Sequence, residues 1–495
     1  MLRAALLVTL AALFPACSHD WDAYDPLGAT ASGSAGSSSS SAGQGASGAG
    51  GSASGAGAGG ADSGGAGGGP LVVWARSFGD AAAQEVRRVG VDGPGNVYAA
   101  GAFAGSVDFG GELVNAADGL DAFLVKLSPD GDVLWVRTWG GAGDDVVHGL
   151  AVTAQGDALV TGEFAATVTL AEVAYQSLGG PDAFVVRVDT GGQEVCGLAF
   201  GDEGEQRAAS AAASTSGAFV ISGMFGTALG LGTDPILSSG LLDLFVARLD
   251  ESCKVEWVQS FGGSANDAAW SVASGADGAV LLGIDSGSAI DFGDGLLPNA
   301  GSGDIFIPKL DAGGGLDWVR HYGDAAAQWA PHMAVTSAGG VIGAGSFQGT
   351  VPFGNQVLQS ADAYDAYVVQ LDAAGAPVWS RVFGGAGSQF MHDAEVEADG
   401  NVLVIGYGEQ TIDFGGGPVG GGGDLDVIVA RLAADGSHLW SLGAGDSAAQ
   451  RGNGVAAAPG GAIAIGGEFA GALTIDGVTL QSAGGTDAFV VKLAP

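Results

Sequence analysis

Histidine, tryptophan and carboxylate side chains that could bind or transform a ligand recur at one variable place in an internal repeat. The residues at or beside this place are His148, Trp270, His332, His392 and Asp393. With Glu395, the imidazole and carboxylate groups could act as general acids and bases, and the aromatic rings could stack on a ligand. Other copies of the repeat carry Ala209 or Asn453 there. Two interpretations therefore stay open, a ligand-binding face or ordinary drift of surface residues.

An aspartate occupies one position in every copy of the repeat. This column consists of Asp121, Asp182, Asp243, Asp304, Asp365, Asp426 and Asp487. A ring of carboxylates could bind a metal or another cation. Each aspartate, however, begins a predicted strand directly after a Gly-rich connection, where its side chain can accept hydrogen bonds from local backbone N–H groups. Because the copies would lie on separate structural units, too far apart to share one ion, we predict a structural role.

A tryptophan column gives the length of the repeat. Trp74, Trp135, Trp257, Trp318, Trp379 and Trp440 follow a period of 61 residues, and Cys196 takes the missing place. Copies without insertion or deletion fill the chain from about residue 69 to residue 495. A fixed period of this size is typical of a solenoid or a propeller. The tryptophan is expected to pack between neighbouring units.

One copy of the repeat has the pattern of four short strands joined by turns. In the second copy the strands are predicted at 148–153, 158–164, 182–188 and 194–200. Hairpin turns such as Pro129-Asp130-Gly131 indicate antiparallel pairing, which disfavours a parallel β-helix, and no segment has a convincing helical period. We therefore predict an all-β fold, a single seven-bladed β-propeller of four-stranded antiparallel blades over residues 70–495.

The phase of the repeat predicts how the ring closes. The segment 71–78 has the pattern of a fourth strand, and the segment 487–493 has that of a third strand. Pairing of these two ends would complete the last blade and cover strand edges that would otherwise be exposed. Apolar residues around a turn at 473–480 predict an additional small hairpin in each blade. Pro308 in blade four and the Gly-rich segment 415–423 in blade six predict local irregularity there.

A further column lies in the connections between consecutive blades. It consists of Gln84, Asp145, Gln206, Asp267, Gln328, Gln389 and Gln450. These side chains should lie near the mouth of the channel, on the same face as the variable residues. Amides and carboxylates in such places most often satisfy backbone groups between blades, and binding of a channel ligand is the alternative. A concave mouth with aromatic and titratable groups is a common binding site.

Two segments of the repeat resemble a known family. The segments T-D-A-F-V-V-K-L at 486–493 and W-S-R-V-F-G-G at 379–385 are similar to the bacterial seven-bladed β-propeller repeats called SBBP. The similarity covers residues 70–495. It implies the propeller architecture and a cell-envelope setting. It implies no catalytic residues, because that family carries no established catalytic motif.

The N-terminus has the features of an export signal. Arg3 precedes an apolar stretch at 4–13 that is too short to span a bilayer. Cys17 follows a small residue, as in bacterial lipoproteins, so residues 1–17 are predicted to be a lipoprotein-type signal peptide with Cys17 as the lipid acceptor. Ordinary secretion is the alternative. Residues 18–69 are rich in Gly, Ser and Ala and are predicted to form a disordered tether.

Two further cysteines could form a disulfide in an exported chain. Cys196 takes a place in the tryptophan column, and Cys253 takes the place of a hairpin glycine one repeat later. Because these positions should lie in neighbouring blades, beyond bridging distance, we expect the two thiols to stay unpaired.

The charge balance limits the classes of partner. With 16 basic and 54 acidic residues the net charge is −38, which would repel nucleic acid and anionic lipid surfaces. The chain has no complete zinc or calcium motif, so we expect no metal and no other cofactor.

Two functional hypotheses follow. The first is a non-catalytic binding or scaffolding module, a monomer at the outer membrane or cell surface of a Gram-negative bacterium. Its lipid anchor would be its only membrane contact, and its partner would be an envelope protein or a surface glycan. The alternative is an envelope enzyme, a lyase or glycan hydrolase, with His392, Asp393 and Glu395 as acid and base groups at the channel mouth.

Overall fold

Antiparallel strands make up nearly all the regular structure of the protein. The computed structural model describes residues 69–214, 217–232, 234–361 and 363–495. Within these ranges the one helical turn is the 3-10 segment Pro459–Gly461, and no helix is long and apolar enough to cross a membrane. The predicted signal peptide with Cys17, and the predicted tether apart from Gly69, lie outside the described residues.

The seven blades are four-stranded antiparallel sheets, as predicted. The first strands of blades one to seven are β2 (Gln84–Val91), β8 (Asp145–Val152), β14 (Gln206–Ala213), β20 (Asp267–Ser274), β26 (His332–Val335), β32 (Gln389–Val396) and β38 (Gln450–Ala457). The second strands are β3 (Val97–Phe103), β9 (Ala158–Phe164), β15 (Phe219–Phe225), β21 (Val280–Ser286), β27 (Val341–Phe347), β33 (Val402–Gly408) and β39 (Ile463–Phe469).

The third and fourth strands complete each sheet. The third strands are β6 (Asp121–Leu127), β12 (Asp182–Val188), β18 (Asp243–Leu249), β24 (Asp304–Leu310), β30 (Asp365–Leu371), β36 (Asp426–Leu432) and β42 (Asp487–Leu493). The fourth strands are β7 (Val133–Trp139), β13 (Glu194–Phe200), β19 (Val255–Phe261), β25 (Leu316–Tyr322), β31 (Pro377–Phe383), β37 (His438–Ala444) and, for blade seven, β1 (Val72–Phe78).

A two-stranded hairpin between the second and third strands is present in every blade, as predicted. The hairpins are β4–β5 (Ser106–Asp108, Leu113–Asn115), β10–β11 (Thr167–Leu170, Val173–Gln176), β16–β17 (Ala228–Leu229, Ile236–Leu237), β22–β23 (Ile290–Asp291, Leu296–Leu297), β28–β29 (Thr350–Phe353, Gln356–Gln359), β34–β35 (Ile412–Asp413, Pro418–Val419) and β40–β41 (Ala472–Ile475, Val478–Gln481). Blade five is the blade with a shortened first strand, because Pro331 has no backbone N–H to pair. The sequence did not predict this irregularity in blade five. The irregularity predicted at Pro308 in blade four is present, because the ladder between β21 and β24 has no pair at Leu282 or Gly283.

The ring closes through its two ends. Strand β1 pairs antiparallel with β42, with Arg76 opposite Val490 and Phe78 opposite Ala488, so the predicted closure is confirmed. Each first strand contacts the first strands of both neighbouring blades around the whole ring. The first strands therefore enclose the channel, and the fourth strands form the outer rim.

The aspartate column stabilises the connection that leads into each third strand. In all seven blades one Oδ2 atom accepts a hydrogen bond from the backbone N–H four residues earlier, at 2.5 to 3.2 Å. A glycine after the fourth strand leaves room for the carboxylate; a Cβ at Gly262 would lie 2.3 Å from Asp243 Cγ. Burial raises the pKa of Asp182 to about 6 and that of Asp487 to about 6. The predicted structural role agrees with this geometry.

The tryptophan column joins each outer strand to the next blade. Five indole Nε1 atoms donate to a carbonyl in the following blade's turn between third and fourth strands. In the contact of Trp379, the donation goes to Ala434 O at 2.9 Å. The indole also covers a glycine of that turn, since a Cβ at Gly436 would lie 2.8 Å from the ring. The expected contact between blades is therefore present.

The expectation that the two cysteines stay apart was wrong. Cys196 and Cys253 form a disulfide, with Cα atoms 5.9 Å apart. Their separation of 57 residues equals that between Trp379 and Gly436, so the bond replaces one tryptophan–glycine contact. Cys253 has a φ of 60°, which matches the left-handed conformation of the glycines at this place. The two columns belong to different blades but face each other across the junction.

Candidate functional site

The variable segment of the repeat coincides with a β-bulge. In six of the seven blades the register between first and second strands shifts at the fourth residue of the first strand. The extra residues are Arg87, His148, Ala209, Trp270, His392 and Asn453. A bulge takes one residue out of the ladder and redirects its side chain. Three of the five predicted site residues, His148, Trp270 and His392, thus occupy bulges, and His332 and Asp393 occupy the next position.

That next position often connects neighbouring first strands. Ser210 Oγ accepts from Val272 N at 3.2 Å, and Ser271 Oγ accepts from Met333 N at 2.9 Å. Asp393 does the same in blade six, because its Oδ2 accepts from Val455 N at 3.0 Å. Its Oδ1 also accepts from a backbone N–H, that of the following residue. Both oxygens of Asp393 therefore serve the backbone. Burial raises the pKa of this carboxyl to about 6, although the positive charge of Arg88 acts to lower that pKa.

His148 is held by charged neighbours on both ring nitrogens. Arg87 Nη1 lies 2.9 Å from His148 Nδ1, and because a guanidinium can only donate, Nδ1 must accept and the proton must sit on Nε2. Nε2 lies 3.2 Å from Glu163 Oε1. Burial, followed by the charge of Arg207, lowers the pKa of His148 to about 4. Burial would raise the pKa of Glu163, but Arg207 and His148 outweigh it and lower that pKa to about 2.

The same network extends to Trp270. Arg207 Nε donates to Glu163 Oε2 at 2.8 Å, and the guanidinium carbon lies 6.0 Å from the centre of the Trp270 ring. His148 and Trp270 are therefore linked through two residues that the sequence analysis did not single out. Cation–π contacts of this kind add to the attraction between the two side chains.

Further ion pairs continue the network around one side of the channel. Arg87 pairs with Glu85, and Arg451 Nη1 donates to Glu468 Oε1 at 2.6 Å. We call the charged arc the set Glu85, Arg87, His148, Glu163, Arg207, Arg451 and Glu468. It lies in blades one, two, three and seven. Several members occupy the second position of a first strand or the position paired with it in the second strand. The copies of the repeat also differ at these positions, so a comparison of the copies could have identified these residues from the sequence.

Aromatic rings occupy the corresponding positions of blades five and six. We call the aromatic arc the set Trp329, Tyr364, Phe390 and Tyr407. Trp329 and Phe390 are stacked, with centroids 5.0 Å apart, and the Phe390 and Tyr407 centroids are 5.3 Å apart. Phe390 and Tyr364 are half-buried, while the other two rings are buried. These four residues were not among the predicted site residues.

His332 and His392 extend the aromatic arc into the channel. The Tyr407 and His392 rings are 4.8 Å apart, and His392 stacks on His332 at 6.2 Å between centroids with an interplanar angle of 18°. Burial, followed by the charge of Arg88, lowers the pKa of His392 to about 3 and lowers that of His332 as well. The structure thus separates the predicted site residues into two groups: His332, His392 and Asp393 on one side, and His148 and Trp270 on the other.

The Gln/Asp column serves the backbone beside this site. Gln328 Oε1 accepts from Asp324 N at 3.1 Å, and its Nε2 donates to Gln348 O at 3.1 Å. Asp145 and Asp267 instead each accept from the N–H of a glycine four residues earlier. Burial raises the pKa of Asp145 to about 8 and that of Asp267 to about 7. The column is buried and bonded, which matches the structural role predicted for it.

The described side chains show no group of three or more His, Cys, Asp and Glu residues that could hold a metal ion. What the channel does offer is a set of guanidinium, carboxylate and imidazole groups opposite a wall of aromatic rings. Such a set can bind a ligand by stacking and by hydrogen bonds with fixed directions.

Comparison with known proteins shows no relative that would carry a function. No family model and no curated protein matches the chain. An apocarotenoid oxygenase structure from Synechocystis is 12% identical over 85% of this chain and 93% of its own, with a TM-score of 0.36. A gluconolactonase from Xanthomonas campestris is 10% identical over 68% and 90%, with a TM-score of 0.32. A protein of unknown function from Bacteroides caccae is 11% identical over 65% and 89%, with a TM-score of 0.32. Likeness at this level carries no argument about activity or ligand.

Proposed function

We propose that this propeller is a non-catalytic recognition module of the bacterial cell envelope that binds a surface glycan or an envelope protein in its channel. The observation that carries the proposal is the placement of non-repeating residues. The aromatic arc and the charged arc lie mainly on the first and second strands of different blades, at positions where the copies carry different side chains, and the first strands enclose the channel. Concave sites that combine apolar walls with a few directed polar groups are typical of ligand binding.

The geometry supports recognition better than catalysis. A general acid and base must both reach one reacting atom. His148 already has close partners at both ring nitrogens, and both oxygens of Asp393 accept from the backbone. Burial, with the charge of Asp393, raises the pKa of Glu395 to about 8, so this carboxyl is mostly protonated at neutral pH and would not act as a base.

Three observations support the envelope setting. The disulfide between Cys196 and Cys253 is typical of an oxidising compartment outside the cytosol. The N-terminal sequence has the pattern of a lipoprotein signal with Cys17 as lipid acceptor. The resemblance to SBBP repeats implies the same setting. In this proposal the lipid on Cys17 anchors the chain, and residues 18–69 hold the propeller away from the membrane.

Binding is tested by capture. Immobilised full-length protein is exposed to envelope proteins and surface polysaccharides, beside a Trp329→Ala/Phe390→Ala variant and a matched control, Val378→Ala/Leu439→Ala. The control changes two outer-rim residues that are 57% and 43% exposed. We expect the wild-type and control proteins to retain a ligand that the channel variant releases. Equal retention by all three would contradict a channel site.

Anchoring is tested separately. Cells that express the wild-type protein or a Cys17→Ser variant are grown with labelled palmitate, and membrane and soluble fractions are compared. We expect label and membrane retention in the wild-type protein alone. An unlabelled wild-type protein would contradict the lipid anchor without affecting the channel proposal.

A further inference from the structure

Arg88 differs from the other arginines of the channel because it has no carboxylate partner among the residues that the structure describes. Arg87, Arg207 and Arg451 are each paired with a glutamate. Arg88 Nη1 donates to the carbonyls of Arg87 at 2.9 Å and of Asn453 at 3.5 Å. Among the described residues, no carboxylate lies within 4.0 Å of its guanidinium, and its Nε and Nη2 have no acceptor. Arg88 therefore keeps free donors in the channel.

A second polar group on the first strands also has free hydrogen-bonding capacity. His332 is 6% exposed, and its Nε2 has no hydrogen-bond partner in the described part of the chain. Buried nitrogens are rarely left without a partner unless they meet water or a ligand. Burial, followed by the charge of Arg88, lowers the pKa of His332 and of the stacked His392. Both imidazoles are therefore neutral at neutral pH and each has one N–H to donate. Arg88 contacts Asn453 O, and Asp393, the neighbour of His392, contacts Val455 N on the same strand β38, so Arg88 and His392 approach that strand from its two sides.

Neither Arg88 nor His332 makes the hydrogen bond between neighbouring blades that other residues make at the same position of the repeat. Both occupy the position after the bulge, where Ser210, Ser271 and Asp393 accept a backbone N–H from the next blade. An arginine cannot accept such a bond, and neither residue has one in the structure. Arg88 instead donates to the carbonyl of Asn453 on the first strand of blade seven. In the described part of the chain, neither side chain accepts the backbone N–H that Ser210, Ser271 and Asp393 accept.

We propose that Arg88, His332 and His392 form a subsite for the carboxylate of an acidic sugar unit, a hexuronate, whose ring stacks on the aromatic arc. The inference rests on the proposed function and names its ligand class. A guanidinium offers parallel N–H donors that match the two oxygens of a carboxylate, and an imidazole N–H adds a further donor. The apolar C–H face of a pyranose fits the face of an aromatic ring, and half-buried Phe390 offers that face.

The surrounding charge favours a carboxylate over a phosphate. Asp393 in blade six acts on the guanidinium of Arg88 in blade one, and the whole chain has a net charge of −38. A phosphate monoester would bring about two negative charges, whereas a hexuronate brings one. The singly charged group is the one that Arg88 can neutralise.

The subsite is tested by calorimetric titration of the full-length protein with D-glucuronate, D-glucose and acetate. We expect glucuronate to bind at least about tenfold more tightly than glucose or acetate, because only glucuronate has both the ring and the charge. In an Arg88→Gln variant the preference over glucose should disappear. The matched control is Arg137→Gln, since Arg137 contacts backbone carbonyls at the outer rim, and it should keep the preference.

A second measurement covers the case in which the Arg88→Gln variant does not fold. In the wild-type protein, glucuronate should shift the imidazole NMR signals of His332 and His392 and leave those of His438, on the outer strand β37, unchanged. Unchanged signals of His332 and His392 would overturn the subsite. Equal affinity for glucuronate and glucose would also overturn the subsite. The proposed function would still hold in that case if the channel captures another ligand in the capture experiment. A glycine dipeptide that binds more tightly than glucuronate would overturn the sugar assignment.

Discussion

At the start of the third strands the seven blades repeat the same contact, whereas at the bulge position of the first strands no two neighbouring blades carry the same residue. The aspartate column accepts the same backbone N–H in every blade. The channel positions instead form ion pairs in some blades and ring stacks in others. The fold therefore depends on the repeated columns, and the divergent channel residues are the ones that could serve a ligand.

One junction on the outer rim differs in chemistry from the others. Five junctions use a tryptophan that donates to the next blade's turn. The junction between blades two and three uses Cys196 and Cys253 instead. The positions are equivalent, so the same place in a junction can be occupied by a tryptophan hydrogen bond or by a disulfide. Such substitution is expected where a column serves only the fold.

The largest expected effect comes from breaking a repeated contact. Trp379→Ala removes a buried indole and its hydrogen bond to Ala434, and we expect the free energy of unfolding to fall by about 4 kcal/mol. Val378→Ala, on the same strand but 57% exposed, is the control and should change it by less than about 0.5 kcal/mol. Guanidinium denaturation measures both, and equal effects would contradict the role assigned to the column.

The disulfide junction gives the next largest effect. Replacing both Cys196 and Cys253 by Ala should lower the free energy of unfolding by about 3 kcal/mol. The double variant Cys196→Trp/Cys253→Gly should recover most of that loss, because it recreates the contact of the other junctions and removes a non-glycine residue at φ 60°. Denaturation with and without reductant measures this. A Trp/Gly variant no more stable than the Ala variant would show that the junctions are not equivalent.

The pH dependence of stability should have opposite signs for a residue of the Gln/Asp column and for a residue of the channel. Burial raises the pKa of Asp145 to about 8 in the folded protein from an ordinary value of 3.8. The folded state then binds the proton more tightly, so this residue lowers stability as the pH rises from about 4 to 8. His148, whose folded pKa is about 4, acts in the opposite sense and lowers stability as the pH falls below about 6.5.

An Asp145→Asn variant isolates the contribution of this column residue to the pH dependence of stability. It keeps an oxygen that can accept from Gly141 N and removes the titration. We expect the wild-type protein to lose about 2 kcal/mol more than the variant between about pH 6 and pH 8, as measured by denaturation at both values. Asp130→Asn, in an exposed turn, is the control and should follow the wild-type protein. Parallel curves for all three proteins would show that the buried carboxyl does not titrate in this range.

The smallest effect on stability is expected in the channel. His392 is half-buried, and its ring nitrogens have no hydrogen-bond partner in the described part of the chain. His392→Ala should change the free energy of unfolding by less than about 1 kcal/mol, although it removes a group from the proposed ligand site. Thermal unfolding with and without glucuronate tests this. A loss as large as that of Trp379→Ala would make His392 a residue of the fold.

The sequence predicted the columns well because a fixed period sets which residues are equivalent in every blade. Asp487 and Trp74 could be placed from the count alone, and so could the closure of the ring. The disulfide was missed because Cys196 and Cys253 were compared by blade number, while the contact runs from one blade's outer strand to the next blade's turn. The Glu163–Arg207 pair was missed because it crosses a junction between blades two and three, which no pattern within a single repeat reveals.

The most direct test of the central claim is a binding comparison between a channel variant and a column variant of the full-length protein. Both Phe390→Ala and Cys196→Trp/Cys253→Gly are titrated with the glycan or protein that the wild-type protein captures. The account predicts that the column variant keeps wild-type affinity and that the channel variant loses it at least about tenfold. Loss of binding in the column variant, with wild-type affinity in the channel variant, would contradict the account.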